Sequence, residues 1–248
     1  MNDDANDDLY VGYLPAAPPR VARFVRRLVP MLVVVAAVVA ALLAVLQAPF
    51  DSGTFEFGTT RAVEGTLLER PYPMLVDEEA ARGALLVREG KHGAARDAAG
   101  LDGRRVHLEA TRIESPLGSM LELVPGTLEP AGAQADVSSP ADQLLGHVEV
   151  TGEIVDSKCF LGVMKPGKGK PHRACAARCL SGGIPPQLLV VSAEGASRLL
   201  LLADAQGGPL ASESFLDLVG EPVIATGMVE RRTGLLVLRL DHALRPAH

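Results

Sequence analysis

His147-Val-Glu-Val-Thr-Gly152-Glu-Ile-Val-Asp-Ser-Lys-Cys-Phe160 reads as the opening strand of a small β-barrel followed by a loop. An upstream stretch, Thr60-Arg-Ala-Val-Glu-Gly65-Thr-Leu-Leu-Glu-Arg-Pro-Tyr-Pro-Met74, reads the same way. Each has a glycine at the matching place, where a strand can bend around a barrel or let another backbone come close. A second pair of segments extends the match. Leu101-Asp-Gly-Arg-Arg-Val-His-Leu-Glu-Ala-Thr-Arg-Ile-Glu-Ser-Pro-Leu-Gly118-Ser-Met-Leu-Glu-Leu123 corresponds to Leu218-Val-Gly-Glu-Pro-Val-Ile-Ala-Thr-Gly-Met-Val-Glu-Arg-Arg-Thr-Gly234-Leu-Leu-Val-Leu238. Alternating apolar and polar residues, then a glycine-bearing turn, then a returning apolar run make a hairpin in both. Two copies of a module with about five short strands each suit a small Greek-key barrel, and the OB-fold fits best.

The expected organisation is therefore an all-β part made of two tandem OB-like barrels. Module 1 covers residues 52–130 and module 2 residues 146–248. Residues 131–145 form a linker that continues the Pro-, Gly-, Ala- and Ser-rich stretch over residues 126–139, which has no apolar period.

Ahead of the barrels, residues 28–47 are apolar, interrupted only by Pro30 before the closing Gln47. About 20 such residues span a bilayer core as a helix, whereas a signal-peptide core is shorter and ends in a clear small-residue cleavage site. The run reads as an uncleaved single-pass transmembrane anchor. Arg20, Arg23, Arg26 and Arg27 precede it and the next basic residue is Arg61, so residues 1–27 are expected in the cytoplasm and the barrels outside it, in the periplasm. The tail, with Asp3, Asp4, Asp7 and Asp8 and then several prolines, has the composition of a disordered or docking segment.

Charge narrows the partners. The segment up to the end of the span holds equal numbers of arginines and aspartates, so the external part carries the whole net charge of −6. A nucleic-acid-binding surface needs a basic excess, which argues against that class. The exception is local: Lys158, Lys165, Lys168, Lys170, Arg173 and Arg178 lie together with no acidic residue between them. No Walker loop, GxSxG elbow, HExxH helix or haem-attachment signal is present, so the reading leans away from an enzyme.

All three cysteines fall inside that basic stretch, with the spacing Cys159-x12-His172-x2-Cys175-x3-Cys179. Module 1 has no cysteine, so the segment over residues 158–187 is an insertion that the barrel does not need in order to fold. Pro171 and Gly182-Gly183 punctuate a short helix on which His172, Cys175 and Cys179 share one face, with Cys159 brought in from the end of the first strand. Three readings follow. Cys159, His172, Cys175 and Cys179 can be a Cys3His metal site for zinc, or for redox-active iron or copper. Alternatively Cys159 pairs with Cys175 or Cys179 in a stapling disulfide worth about 3 kcal/mol, which an extracytoplasmic address favours. The third reading is thiol redox work, one cysteine attacking and another resolving. Cys175 and Cys179, one helical turn apart, suit a disulfide poorly.

The run from Gly152 through the Val-Asp-Ser-Lys-Cys159 end of the strand, His172-Arg-Ala-Cys175-Ala-Ala-Arg-Cys179 and Gly183-Ile-Pro-Pro186 resembles a family of bacterial membrane-anchored or exported proteins with this motif on an OB-like domain. That resemblance covers roughly residues 148–190 and implies no particular activity. One anchor helix followed by an external OB barrel is also similar in architecture to the periplasmic haem chaperone of cytochrome c maturation. Its haem-attaching histidine motif has no counterpart here, so covalent haem carriage is not implied. Together these readings point to a metal- or cofactor-binding accessory subunit or assembly factor of an electron-transfer complex, with a membrane or periplasmic protein as partner.

Overall fold

The computed structural model describes residues 17–47, 53–77, 82–134, 143–162 and 164–247. The acidic tail lies outside this range apart from its last few residues, as does the middle of the expected linker. The chain divides into two units, residues 1–49 and 50–248.

The first unit is one helix, α1 (Pro19–Leu46). It starts with proline in its first turn, where the missing N–H costs nothing. It then runs through Pro30 as an apolar rod with no buried residue, long and apolar enough to cross a membrane.

In the second unit the strands, in chain order, begin with β1 (Thr54–Phe55), β2 (Arg61–Leu68), β3 (Met74–Asp77), β4 (Arg82–Arg88) and β5 (His92–Gly93). After the single turn α2 (Ala95–Ala98) come β6 (Arg104–Ser115), β7 (Gly118–Leu123) and β8 (Glu129–Gln134). Next are β9 (Gln143–Asp156), the short helices α3 (Ser157–Leu161) and α4 (Arg173–Ser181), and β10 (Pro186–Val191). The last strands are β11 (Ser197–Ala203), β12 (Pro222–Arg232), β13 (Leu235–Leu240) and β14 (Arg245–Pro246).

Two closed five-stranded barrels result. In the first, β2 pairs with β3, β3 with β4, β4 in parallel with β7, β7 with β6, and β6 back with β2. The second repeats this strand for strand as β9, β10, β11, β13 and β12, again with one parallel pairing, β11 to β13. Sharing even the parallel closure, the two modules have the same OB-type topology. The matched glycines do the same work in both: a Cβ at Gly65 would sit 2.5 Å from the Val76 carbonyl oxygen, and one at Gly152 2.6 Å from that of Leu189. Each lets the first strand press against the second.

Burial explains why the later strands are apolar on both faces. In β4, Leu86 belongs to the core inside the first barrel while Leu85 and Val87 face a separate core. In β11, Leu200 and Leu202 fill the second barrel while Leu199 and Leu201 face that same separate core. With successive side chains pointing to opposite faces, one set fills each barrel and the other forms a third core between them. Phe160 and Leu161 of α3 also enter this shared core. The barrels therefore use the outer faces of β3–β4–β7 and β10–β11–β13 to hold each other.

The exchange of contacts is reciprocal. After β4, Gly93 donates its N–H to the Gly182 carbonyl at 3.0 Å. After β11, Leu210 donates its N–H to the Tyr72 hydroxyl at 3.0 Å. Tyr72 follows the first strand of its barrel, where the second barrel carries the cysteine insertion.

Candidate metal centre

The insertion is built on a capped turn. β9 ends in the fully buried Asp156, whose Oδ1 accepts the Cys159 N–H at 2.8 Å and caps α3. Aspartate is among the preferred residues for that job, satisfying an amide the short helix leaves open. Ser157 follows, its hydroxyl donating to the Pro185 carbonyl at 2.7 Å and tying the start of the insertion to its end. Lys158 points away from the cysteines. Its ammonium donates to the carbonyls of Arg88 and Gly90 at 2.8 and 2.7 Å and pairs with Glu122, all in the first barrel. Each residue of Asp-Ser-Lys-Cys thus has a distinct job, and Cys159 is set by the first.

Helix α4 presents the other thiols. Cys175 and Cys179 lie one turn apart, and His172 takes the N-cap position with its ring buried. The ring does not cap the helix; its Nε2 lies 3.0 Å from Asp156 Oδ2. One carboxylate therefore positions both Cys159 and His172.

The Cys159 Sγ sits 3.9 Å from Cys175 Sγ and 3.8 Å from Cys179 Sγ. Cys159, His172 and Cys175 place one ligand atom each within 4.8 Å of one another, as do Asp156, Cys159 and Cys179. With metal–sulfur bonds of about 2.3 Å, a tetrahedral site has sulfur–sulfur edges of about 3.8 Å. The two separations from Cys159 match that edge, while Cys179 falls in a different group from His172 and Cys175, so Cys159 is the ligand common to both. A disulfide needs about 2.04 Å, and all three cysteines are free thiols. With one oxygen on the Cys159 N–H and the other on His172, Asp156 is placed to orient a ligating histidine from behind, and it also lies within ligand distance of Cys159 and Cys179. This arrangement can hold a metal ion.

A residue outside the sequence motif completes the cluster. Lys91, between β4 and β5 of the cysteine-free barrel, donates from Nζ to Cys175 Sγ at 2.9 Å and to Cys179 Sγ at 3.6 Å. That contact raises the Lys91 pKa above its ordinary value, so it stays charged. Nothing in the local sequence singles out Lys91; only the equivalence of the two barrels places the segment after β4 opposite the insertion. Around the cluster, Phe160 packs in the shared core, Met164 is exposed, and Lys170 pairs with Glu221 at 3.6 Å on the surface.

The thiols polarise one another. Cys179 is lowered to about 7, chiefly by the hydrogen bond from Cys159 and further by Lys91, against the opposing effects of burial and of Asp156. The same sulfur contact, with burial and the Asp156 charge, pushes the Cys159 thiol well above its usual range. In metal-free protein, the Cys179 thiol is expected to deprotonate as pH rises through about 7. Because Cys179 is buried, thiolate ultraviolet absorbance, as the difference between the parent and Cys179→Ser, reads this without needing reagent access, and a midpoint near the ordinary thiol value would contradict it.

Asp156→Asn keeps the cap acceptor but weakens the hold on His172. Loss of such an outer partner typically lowers metal affinity about 10–100-fold. Competition with a chromophoric chelator measures the change, and an unaltered affinity would remove His172 from the ligand set.

Compared with protein-family models, curated proteins and solved structures, the chain gives no match.

Proposed function

We propose that this chain is a membrane-anchored metal-binding protein of the bacterial cell envelope, whose second barrel holds one ion through Cys159, His172, Cys175 and Cys179. The observation that carries the reading is the placement of Cys159 at tetrahedral-edge distance from both helix thiols. The donor set of three sulfurs and an imidazole favours zinc among common ions, with thiophilic copper or iron as redox-active occupants. Three thiolates around a divalent ion leave one negative charge, and Lys91 supplies the opposing one. The arginines in the first turns of α1, ahead of its apolar run, support an outward orientation for the barrels. In that position the protein suits an accessory subunit or assembly factor of an electron-transfer complex, presenting its ion on a rigid pair of barrels.

The full chain, purified in non-ionic detergent under reducing conditions, is expected to retain one metal ion. Exchange to Co2+ should give sulfur-to-cobalt charge-transfer absorption together with the visible bands of a tetrahedral ion. Failure to retain metal and failure to bind Co2+ tetrahedrally would overturn the proposal. One rival has an observation in its favour. Cys159 and Cys179 stand as a hydrogen-bonded pair of sulfurs 3.8 Å apart, and the Cys179 thiol is lowered to about 7, an arrangement that favours closure into a stapling disulfide. Thiol counting without reductant separates the two: a chelator-stripped metal site yields three reactive thiols, a stapled insertion one.

A further inference from the structure

Beside the thiols, where the segment after β4 meets the end of α4, the surface opens into a groove of about 810 Å3. Its lining includes Arg88, Lys91, His92, Arg96 and Arg178, and no carboxylate among the described residues. This collection of basic side chains, four of them Lys or Arg, is not a consequence of composition, since the chain as a whole carries −6. Two of the five have protein partners: Arg88 lies 3.6 Å from Asp97, and Lys91 contacts the thiols. The side chains of His92, Arg96 and Arg178 have no hydrogen bond or ion pair among the described residues.

The groove is also held in shape by backbone. Gly93 donates to the Gly182 carbonyl across its floor. A Cβ at Gly182 would lie 1.8 Å from the Lys91 carbonyl oxygen, and one at Gly93 2.1 Å from that of Gly183. Only glycine permits so close an approach, so the two backbone segments that carry Arg96 and Arg178 are held together before any ligand arrives. The other large hollow, about 490 Å3 beside β7, differs in kind. There Glu64, Asp77 and Glu114 outnumber Arg82 and Arg112, so any charge excess is acidic and not basic.

We propose that the cationic groove binds a small polyanion, a molecule carrying two or more phosphate or carboxylate groups, with Arg96 and Arg178 gripping it from opposite barrels. Two guanidiniums on separate elements favour two separated anionic groups over one, and each offers a charge-assisted, potentially bidentate contact. Lys91 forms the end of the groove nearest the sulfurs, so the anion would sit next to the metal centre. The assignment does not depend on metal occupancy.

The test uses the full, metal-stripped chain in non-ionic detergent, titrated calorimetrically with inorganic pyrophosphate at near-physiological salt, with citrate as the carboxylate arm. One saturable site per chain is expected for at least one of the two. Arg96→Glu and Arg178→Glu should each weaken binding at least about 10-fold, the loss of one charge-assisted contact. Arg198→Glu, exposed on β11 outside the groove, should leave it unchanged. Arg96 and Arg178 are exposed, so both variants should fold; Arg→Gln replacements serve as milder versions, and circular dichroism verifies the fold. Absence of saturable binding for both anions, or binding indifferent to both substitutions, overturns the proposal. Adsorption to phosphatidylglycerol vesicles without binding of either small anion also overturns it, assigning the groove to a lipid surface. Because no metal is present in the titration, failure of the metal reading leaves this result interpretable.

Discussion

Cys159→Ser is expected to lower metal affinity by about 10²–10³-fold, more than the outer-partner substitution described above. Zinc binding to four-ligand sites of this type is worth about 10–16 kcal/mol, so an even share per ligand is about 2.5–4 kcal/mol. The effect should be larger at Cys159 than at Cys175, because Cys159 belongs to both ligand groups whereas Cys175 belongs to one. Serine preserves size and the capped turn, since the Asp156 contact is to the Cys159 amide and not to the sulfur. A fall in affinity would therefore report a lost ligand and not a lost helix. Chelator competition on the Co2+ form gives the affinity, and the charge-transfer intensity counts the sulfurs that remain. If Cys159→Ser bound metal as tightly as the parent, the site would reduce to the α4 residues and the four-ligand proposal would fail. In the stapled alternative the same substitution lowers stability under oxidising conditions only, so measurement with and without reductant distinguishes the two.

How much of this was legible in the sequence depends on the range of the interaction. The barrel repeat was readable because Gly65 and Gly152 sit at one position of a strand pattern that is itself local. The two hairpins announce themselves through the turns at Gly118 and Gly234. The long apolar helix was readable from composition alone, although it begins at Pro19, well before the apolar run, because arginines are good helix formers. What the sequence hid was the third core. Strands such as Leu199-Leu-Leu-Leu-Ala203 are apolar on both faces, and periodicity cannot say whether the second face meets a helix, a sheet or a partner. The answer, the matching face of the sister barrel, is a tertiary fact.

The site divides in the same way. His172, Cys175 and Cys179 could be grouped from helical spacing; His172 at the N-cap of α4 and Cys175 do come within ligand distance of each other, whereas Cys179 groups with Asp156, and Cys159 alone joins both sets. Bringing in Cys159 required the Asp156 cap, which places the thiol by a three-residue hydrogen bond. The carboxylate behind His172 and the ammonium beside the thiols escaped the reading for different reasons. Asp156 was in plain view within the motif, and its burial was the missing signal; a buried carboxylate between a strand end and two candidate ligands demands partners. Lys91 lies 84 residues from Cys175 and on the other barrel. Of the local basic residues read as surrounding the cysteines, Lys158 instead serves the joint between barrels.

That joint supports the second large expectation, a loss of about 3–5 kcal/mol of stability on Lys158→Met, the usual cost of removing one partner of a buried ion pair. The Lys158 side chain is 9% exposed and that of Glu122 12%, so neither charge is well screened by water. Methionine fills the space of the aliphatic stem but leaves the Glu122 carboxylate without its cation and the Arg88 and Gly90 carbonyls without their donor. Those two carbonyls shape the segment that carries Lys91 to the thiols, so loosening them should also weaken the metal site, unlike an ordinary core substitution. Denaturant unfolding of the full chain in detergent, with and without metal, measures both effects. The double variant Lys158→Met, Glu122→Leu removes the stranded charge and should recover most of the lost stability, since an apolar replacement for a buried pair is often near neutral. It should not recover the metal affinity, because the carbonyls that hold the Lys91 segment still lack their donor. A double variant that restores both would show that Lys158 acts through charge balance alone, whereas restored stability with weakened metal binding would show that one buried ammonium ties the cysteine-free barrel to the cysteine site.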